Sequence, residues 1–325
     1  MGRIFSRLWQ AFSPSQVEKR SDAIRFGVLG AAGIAPMALI IPAKSHPEVV
    51  VQAVAARNRE RAEEFAKSRG IPEVKNSCEE ILGDPNIDAV LVPLPNGLHF
   101  EWAVRALRAG KHVLLEKPSV SNSEEAEILF NLPELPQPNA PVLLEARHNR
   151  FHPSWVFFQS LIDPADVIHV DTDSMIPCSA VMRLAFGAES LECLEGTTNH
   201  YTDGIHDKCD RDSKAKFRFP NGGIGEATST LRGPTAWNPS HVHVKTEQVR
   251  IPDKTLPGSQ EKLRVREVTL RGYIQAIAWH RIEVRDSFEI RSKEDGGTIK
   301  KWRESKSHKP YCFKEADNEF AGLTR

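Results

Sequence analysis

The sequence lacks the features of several large classes of protein. Its five cysteines are scattered along 325 residues without a CxxC pair, which argues for reduced thiols and against a zinc site. Lysine plus arginine and aspartate plus glutamate each total 43, and there is no basic run, so no nucleic-acid partner is expected. No apolar stretch is long enough to span a bilayer. These absences predict a cytoplasmic protein without metal, nucleic acid or membrane among its partners.

The amino terminus allows two interpretations. Residues 1–6 match the myristoylation pattern, with Gly2 as acceptor and Ser6 in place. The favoured alternative is a mobile amphipathic lead-in over residues 1–22, because a single acyl chain anchors a protein only marginally. No cleavable signal is predicted, since the apolar core is short and is broken by Arg7.

The stretch that organises the chain runs from Ile24 to Ala35. Residues 24–29 are typical of a short buried strand, and Gly30 then begins a turn into a helix. This is a variant of the dinucleotide fingerprint, whose glycines let the backbone approach a pyrophosphate at a helix N-terminus. Ala32 and Ala35 stand where the second and third glycines would be, and both are small. On this motif alone, a strand-to-helix turn without a ligand explains the pattern equally well.

Arg57 decides which dinucleotide is expected. It follows a second apolar strand, residues 49–55, about 20 residues beyond the fingerprint, where an NAD site usually has Asp or Glu. The planar fork of an arginine suits a 2′-phosphate. The alternative is a solvated arginine, because Arg59 and Arg61 lie nearby. The strand context favours NADP(H) as the cofactor.

Strands and helices alternate through residues 23–147, which predicts a doubly wound parallel sheet, a Rossmann domain. The residues that stand out as candidate site residues each follow a predicted strand, at the edge where such sheets bind ligands. The predicted strands are 24–29, 49–55, 74, 88–92, 112–115 and 142–146.

The pattern of polar and apolar residues changes in residues 148–325. A helix around 155–161 is followed by segments of alternating polarity separated by turns. This predicts an α+β domain for substrate binding and dimerisation, built on a largely antiparallel sheet. The exposed face of that sheet is the expected homodimer surface. The predicted strands are 167–172, 215–219, 224–231, 241–251, 263–270 and 281–291.

Lys117 is the sharpest chemical candidate. It lies in Glu116-Lys117-Pro118, directly after the fifth strand. A partly desolvated lysine beside a nicotinamide can exchange a proton with a substrate hydroxyl or carbonyl while hydride moves. Pro118 restricts the backbone, and the peptide bond before it can be cis. On spacing alone, a surface lysine at a strand end explains the residue better.

The combination of motifs resembles the Gfo/Idh/MocA oxidoreductases, the glucose–fructose oxidoreductase and inositol dehydrogenase superfamily. Within it, the sequence is most similar to the dimeric dihydrodiol dehydrogenase and NADP-dependent D-xylose dehydrogenase branch. The first domain carries the resemblance almost completely, and the second matches loosely at 217–223 and 279–282. The motifs are residues 27–35, Ala56-Arg57, 95–99, 109–118 and 145–148.

The resemblance implies an NADP-dependent oxidoreductase acting on the CH–OH group of a D-xylose-like sugar or a cyclic trans-diol. Lys117 would be the catalytic proton donor or acceptor, and Glu145 and Arg147 would border the substrate. His99 and Glu145 have plainer interpretations, a helix N-terminal histidine and a strand-end carboxylate. The implied cofactor-binding residues are Gly30, Ala32, Gly33, Ile34, Ala35, Arg57, Pro95, Asn96, His99, Glu116 and Pro118.

The second domain departs from the family pattern. After the strand 167–172, relatives carry an extended segment with a glycine pair, an aspartate and a tyrosine or histidine. Here residues 173–178 pass straight into a helix at Ser179–Phe186, and the chain stops at Arg325, where relatives continue into a further helix. The alternative function is therefore a catalytically impaired NADP-binding sensor or regulator, or a shortened gene product of the same fold.

One stretch contains an aspartate and a histidine like those of the family, but at a different place in the chain. Asp203 and His206 lie after the Ser179 helix and are expected to lie in a loop, because the polar residues 208–216 that follow show no helical apolar stripe. A metal site at His200, His206 and Asp207 is rejected, because no convincing fourth ligand is present.

Overall fold

The chain forms two compact units in the computed structural model, the first reaching Phe151 and the second beginning at His152. The structure describes residues 14–147, 151–174, 179–202, 204, 210–230, 240–273 and 279–309. Several predictions lie outside these residues. They are the acylation pattern at Gly2, the match at His148, the stretch containing Asp203, His206 and Asp207, and the end of the chain at Arg325.

The first unit is built on a six-stranded sheet in the order β3-β2-β1-β4-β5-β6. Every neighbouring pair is parallel, because each strand is joined to the next by a crossover. The strands are β1 (Ile24–Leu29), β2 (Val49–Ala55), β3 (Glu73–Val74), β4 (Ala89–Val92), β5 (His112–Leu115) and β6 (Leu143–Glu145). The predicted doubly wound sheet is confirmed.

Helices lie between the strands of the first unit. Asn58, Ser77 and Asn122 are N-caps, and their side chains accept hydrogen bonds from backbone N–H groups in the first turns. The helices are α1 (Ile41–Lys44), α2 (Arg59–Arg69), α3 (Cys78–Gly83), α4 (His99–Arg108) and α5 (Ser123–Phe130).

The helix after the fingerprint opens with a wide turn, Pro36–Ile40, that continues into α1. In this turn the N–H of Ile41 donates to the carbonyl of Pro36, five residues earlier. Pro42 follows immediately, and its ring has no N–H to offer and would clash in an ordinary α-turn. A π-type turn relieves that conflict.

Two apolar layers cover the parallel sheet. One contains Ile81, Leu107 and Leu129, and the other contains Leu39, Val54 and Leu91. Gly27 sets the distance between α3 and β1, because a Cβ there would lie 2.4 Å from Cγ2 of Ile81.

The second unit is a nine-stranded sheet against which two helices pack, α6 (Pro153–Ser160) and α7 (Ser179–Phe186). Its main path is β15-β14-β13-β11-β7-β10-β9-β8, and β12 pairs with β13. β7 and β10 are parallel, and the other pairs are antiparallel. The strands are β7 (Val167–Ser174), β8 (Glu192–His200), β9 (Asp210–Arg218), β10 (Ile224–Thr230), β11 (His241–Thr246), β12 (Val249–Ile251), β13 (Gln260–Arg271), β14 (Arg281–Ser292) and β15 (Thr298–His308).

The sequence analysis was wrong about the polar part of this sheet. Residues 210–214 belong to β9, which was predicted to begin only at residue 215, and β8 and β15 were not predicted. The predicted single strand 241–251 is two strands, β11 and β12. All nine residues of β8 are exposed, so the alternation of apolar and polar residues that marks a half-buried strand is absent. Backbone pairing to β9 holds β8 in place.

Candidate functional site

The predicted site residues of the first unit follow strands that end at one edge of the sheet. The register pairs Leu29 with Ala55, Val92 with Leu115, and Leu115 with Glu145. Because these strands are parallel, the residues after their carboxyl ends share that edge, where open α/β sheets bind ligands.

The fingerprint loop turns tightly at Gly30. Gly30 has a φ of +109°, a conformation that side chains with a Cβ disfavour. A Cβ there would also lie 3.1 Å from Cδ2 of Leu94. Ala35, at the third fingerprint position, is fully buried. Among described residues, no backbone acceptor is bonded to the N–H of Gly33 or of Ile34, so both are available to an anion.

The three arginines near the end of β2 have different surroundings. Arg59 pairs with Glu63 at 2.8 Å and also donates to Asn76. Nη2 of Arg61 donates to the carbonyl of Ala31 in the fingerprint loop at 3.1 Å. Arg57 is exposed and forms no hydrogen bond or ion pair with a described residue. Its guanidinium is therefore open to a ligand. Sequence reasoning overlooked Arg61 as a neighbour of the loop, although its cluster with Arg57 was visible.

Lys117 is exposed after the end of β5, and its peptide bond to Pro118 is cis. Its backbone N–H donates to Oε2 of Glu116 at 3.2 Å. Burial raises the pKa of the Glu116 carboxyl, while that hydrogen bond and the charges of Lys117 and His99 act in the opposite direction. The site therefore holds a half-buried carboxyl beside an accessible amine.

His99 occupies the first turn of α4 and is 1% exposed. Its Nδ1 lies 2.6 Å from the carbonyl oxygen of Pro118, and its Nε2 lies 2.7 Å from that of Leu94. Both ring nitrogens are thus engaged with backbone. Pro95 and Asn96, in the turn just before α4, are exposed.

Glu145 and Arg147 are bonded to each other at the end of β6. Nε of Arg147 donates to Oε2 of Glu145 at 3.0 Å, and the hydroxyl of Ser119 donates to Oε1 at 3.0 Å. Ser119 is buried and was missed in the sequence; its signal was a hydroxyl directly after Pro118. The network links the loop after β5 to the end of β6.

The described residues contain no group of His, Cys, Asp or Glu side chains arranged to hold a metal ion. Nδ1 of His200 lies 3.2 Å from Oδ1 of Asp210 across β8 and β9.

Among the residues that the structure describes, no helix is both long and apolar enough to cross a membrane.

These features define the first unit as a dinucleotide-binding Rossmann domain. Residues 24–134 match the model of the GFO_IDH_MocA oxidoreductase family, NAD-binding Rossmann fold. This match confirms the predicted resemblance of residues 24–134 to the Gfo/Idh/MocA oxidoreductases.

Similar curated proteins match about two fifths of the chain. An uncharacterised oxidoreductase of Rhizobium meliloti is 42% identical over 134 residues, covering 41% of this chain and 39% of its own length. D-xylose 1-dehydrogenase (NADP(+)) 2 of Haloferax volcanii is 43% identical over 129 residues, covering 39% of this chain and 38% of its own. The chain thus spans about two fifths of the length of these relatives.

A solved structure matches across both units. It is a 3-ketoreductase of Actinomadura kijaniata in complex with TDP-benzene and NADP, 22% identical, with a TM-score of 0.67. The match covers 93% of this chain and 87% of that one. At this identity the likeness establishes the fold, a Rossmann unit followed by a unit built on a mixed, mainly antiparallel sheet.

Proposed function

We propose that the chain is an NADP-dependent oxidoreductase acting on the CH–OH group of a sugar or a cyclic trans-diol. One observation carries the proposal. Gly30, Arg57 and Lys117 follow three different strands of one parallel sheet, and all three lie at the edge where such sheets bind ligands.

The residues present fit NADP. Gly30, Ala32, Gly33, Ile34 and Ala35 provide a small, tightly turned loop for the pyrophosphate. Among the described residues, Arg57 has no hydrogen-bond or ion-pair partner, and a 2′-phosphate would give its two-pronged donor group an acceptor. Pro95, Asn96, Glu116 and Pro118 would surround the nicotinamide end, since they follow β4 and β5.

The chemistry requires a proton and a hydride to move together. Bound NADP supplies the hydride acceptor, C4 of its nicotinamide. Lys117 takes the hydroxyl proton when an alcohol is oxidised and returns a proton to the carbonyl oxygen in the reverse direction. The carboxylate of Glu116 accepts a hydrogen bond from the backbone N–H of Lys117 and so holds the backbone at that position. The paired Glu145 and Arg147 would bind substrate hydroxyls.

The names of relatives support the substrate class. One similar protein is called a D-xylose 1-dehydrogenase, and others are called dTDP-3,4-didehydro-2,6-dideoxy-alpha-D-glucose 3-reductases. Both names describe redox chemistry at a sugar carbon. We extend that class to this chain, place it in the cytoplasm and expect a homodimer through the exposed face of the second sheet.

A second candidate is NADP binding without turnover, as in a sensor, a regulator or a shortened gene product. It is favoured by the connection after β7. The strand ends at Ser174 and α7 begins at Ser179, so residues 175–178 alone stand where family relatives carry a glycine pair and a second catalytic group.

A titration followed by an assay separates these functions. NADPH is titrated against the purified chain by tryptophan fluorescence, with NADH for comparison. Arg57→Ala is expected to weaken NADPH binding, whereas Arg69→Ala, an exposed arginine at the end of α2, should not. Absorbance of reduced nicotinamide is then followed with D-xylose and a trans-dihydrodiol. Turnover supports the oxidoreductase, binding alone supports the sensor, and no binding of either nucleotide contradicts both.

A further inference from the structure

His99 bridges two loops of the candidate site. Leu94, whose carbonyl faces Nε2 at 2.7 Å, follows β4. Pro118, whose carbonyl faces Nδ1 at 2.6 Å, directly follows Lys117 after β5. Leu94 also approaches the position where Gly30 lacks a Cβ. A single buried ring therefore connects the Lys117 loop to the loop that packs beside the fingerprint.

Both partners of the ring are carbonyl oxygens, which only accept hydrogen bonds. A neutral imidazole has one N–H, and its other nitrogen is an acceptor. Two bonds to two carbonyls at 2.6 and 2.7 Å require a proton on each nitrogen. The geometry is therefore that of an imidazolium.

The charges around this corner include a counterion. Glu116 and Lys117 follow β5, Glu145 ends β6, and the field of His99 opposes the effect of burial on the Glu116 carboxyl. A buried cation is costly unless it is paired and hydrogen-bonded. Here it has two carbonyl acceptors and a nearby carboxylate.

We propose that His99 is a positioning residue whose imidazolium form ties the carbonyls of Leu94 and Pro118 and thereby fixes the place of Lys117. This rests on the proposed function insofar as Lys117 handles the substrate proton. It assigns His99 a role through Lys117 rather than contact with the cofactor, because neither ring nitrogen is left to bind one. A displacement of the amine by about 1 Å can cost about 100-fold in rate.

The protonation state is measured without turnover. The full chain is labelled with ring-¹⁵N histidine, and the resonances that disappear in His99→Gln are assigned to His99. Both nitrogens of His99 should carry a proton, whereas Nδ1 of His112 accepts the backbone N–H of Val142 at 2.9 Å and should carry none. A single protonated nitrogen on His99 would overturn the proposal.

The positioning role is measured with substrate and NADP. His99→Gln, which keeps one donor nitrogen, should lower kcat by about 10-fold, and His99→Phe, which keeps the ring shape without donors, by about 100-fold. The Kd for NADPH should stay within about twofold in His99→Gln. His112→Gln is the matched control and should leave kcat unchanged. Unchanged kcat in both His99 variants, or an NADPH affinity that falls as much as kcat, would contradict the role.

The two proposals fail in different ways. If the wild-type chain turns over no substrate, the oxidoreductase function fails, and the labelled-histidine spectra still decide whether His99 holds the imidazolium geometry. If Lys117→Ala abolishes turnover while the His99 variants match the wild type, the oxidoreductase stands and the positioning role falls.

Discussion

β4 and β8 are both strands, yet their surroundings are opposite. All four residues of β4 are buried, whereas all nine residues of β8 are exposed. The first lies inside a parallel sheet covered on both faces, and the second pairs with one neighbour in a sheet that leaves polar side chains in water. Side-chain burial specifies the first kind of strand, and backbone pairing specifies the second. The following substitutions compare the two sheets, beginning with the largest expected effect.

The edge of the first sheet should carry the chemistry. Lys117→Ala is expected to reduce kcat by about 100- to 10,000-fold, the usual contribution of a positioned acid–base group. Lys214→Ala, an exposed lysine of β9 that is also involved in a weak contact with Glu226, should leave kcat unchanged. Steady-state assays of both variants measure the difference, and equal losses would mean that Lys117 has no special role.

Side-chain burial should matter far more in β4 than in β8. Leu91 is 0% exposed and Leu194 is 38% exposed. Leu91→Ala should lower the free energy of unfolding by about 2–5 kcal/mol, because it leaves a cavity. Leu194→Ala should change it by less than about 0.5 kcal/mol. Urea unfolding of each variant gives both values, and a comparable loss in Leu194→Ala would show that β8 is covered in solution.

Substituting alanine for one glycine in each sheet compares the buried and the exposed strand by adding a methyl group instead of removing side-chain atoms. A Cβ at Gly27 in β1 meets Ile81 at 2.4 Å, whereas a Cβ at Gly196 in β8 lies 3.9 Å from Sγ of Cys193. Gly27→Ala should destabilise the chain by about 1–3 kcal/mol through overpacking. Gly196→Ala should be neutral or stabilising by up to about 1 kcal/mol, since it restricts the unfolded chain. Thermal unfolding of the pair distinguishes the outcomes.

Carboxylates in the two units should respond to pH with opposite signs. The hydrogen bond from Thr298 lowers the pKa of Glu289 in β14 to about 2, so its stabilising effect is present above pH 4.5 and is lost as pH falls toward 2. Burial raises the pKa of Glu116, so its effect favours folding below pH 4.5 and is lost as pH rises through the folded-state value.

Unfolding free energies measured from pH 7 to pH 3 check this contrast. Glu289→Gln should weaken the acid-induced loss of stability, whereas Glu116→Gln should steepen it, because the wild-type carboxyl offsets part of that loss as it takes up a proton. Parallel pH profiles for the two variants would contradict the opposite signs.

The sequence predictions were accurate for the buried apolar strands and inaccurate for the exposed polar ones. The bounds of β1, β2 and β5 agree with their apolar runs, and α2 lies between Asn58 as N-cap and Gly70 in the left-handed conformation. The end of β9 was recognised at Phe217, but its polar beginning was not, because Asp210 to Lys214 show no apolar period. The candidate site residues were chosen by their positions after strands, and their roles stay predictions. Their partners, such as Ser119 for Glu145, depend on contacts between different loops.

The sequence alone determined the parallel sheet and the residues at the carboxyl ends of its strands, because apolar runs, caps and glycines act locally and leave a readable period. Only the tertiary structure decided that β8 and β15 are strands, that Arg59 is paired while Arg57 has no partner among the described residues, and that His99 faces two carbonyls. Each of these depends on backbone and side-chain groups from distant parts of the chain, and the period of one segment carries no information about them.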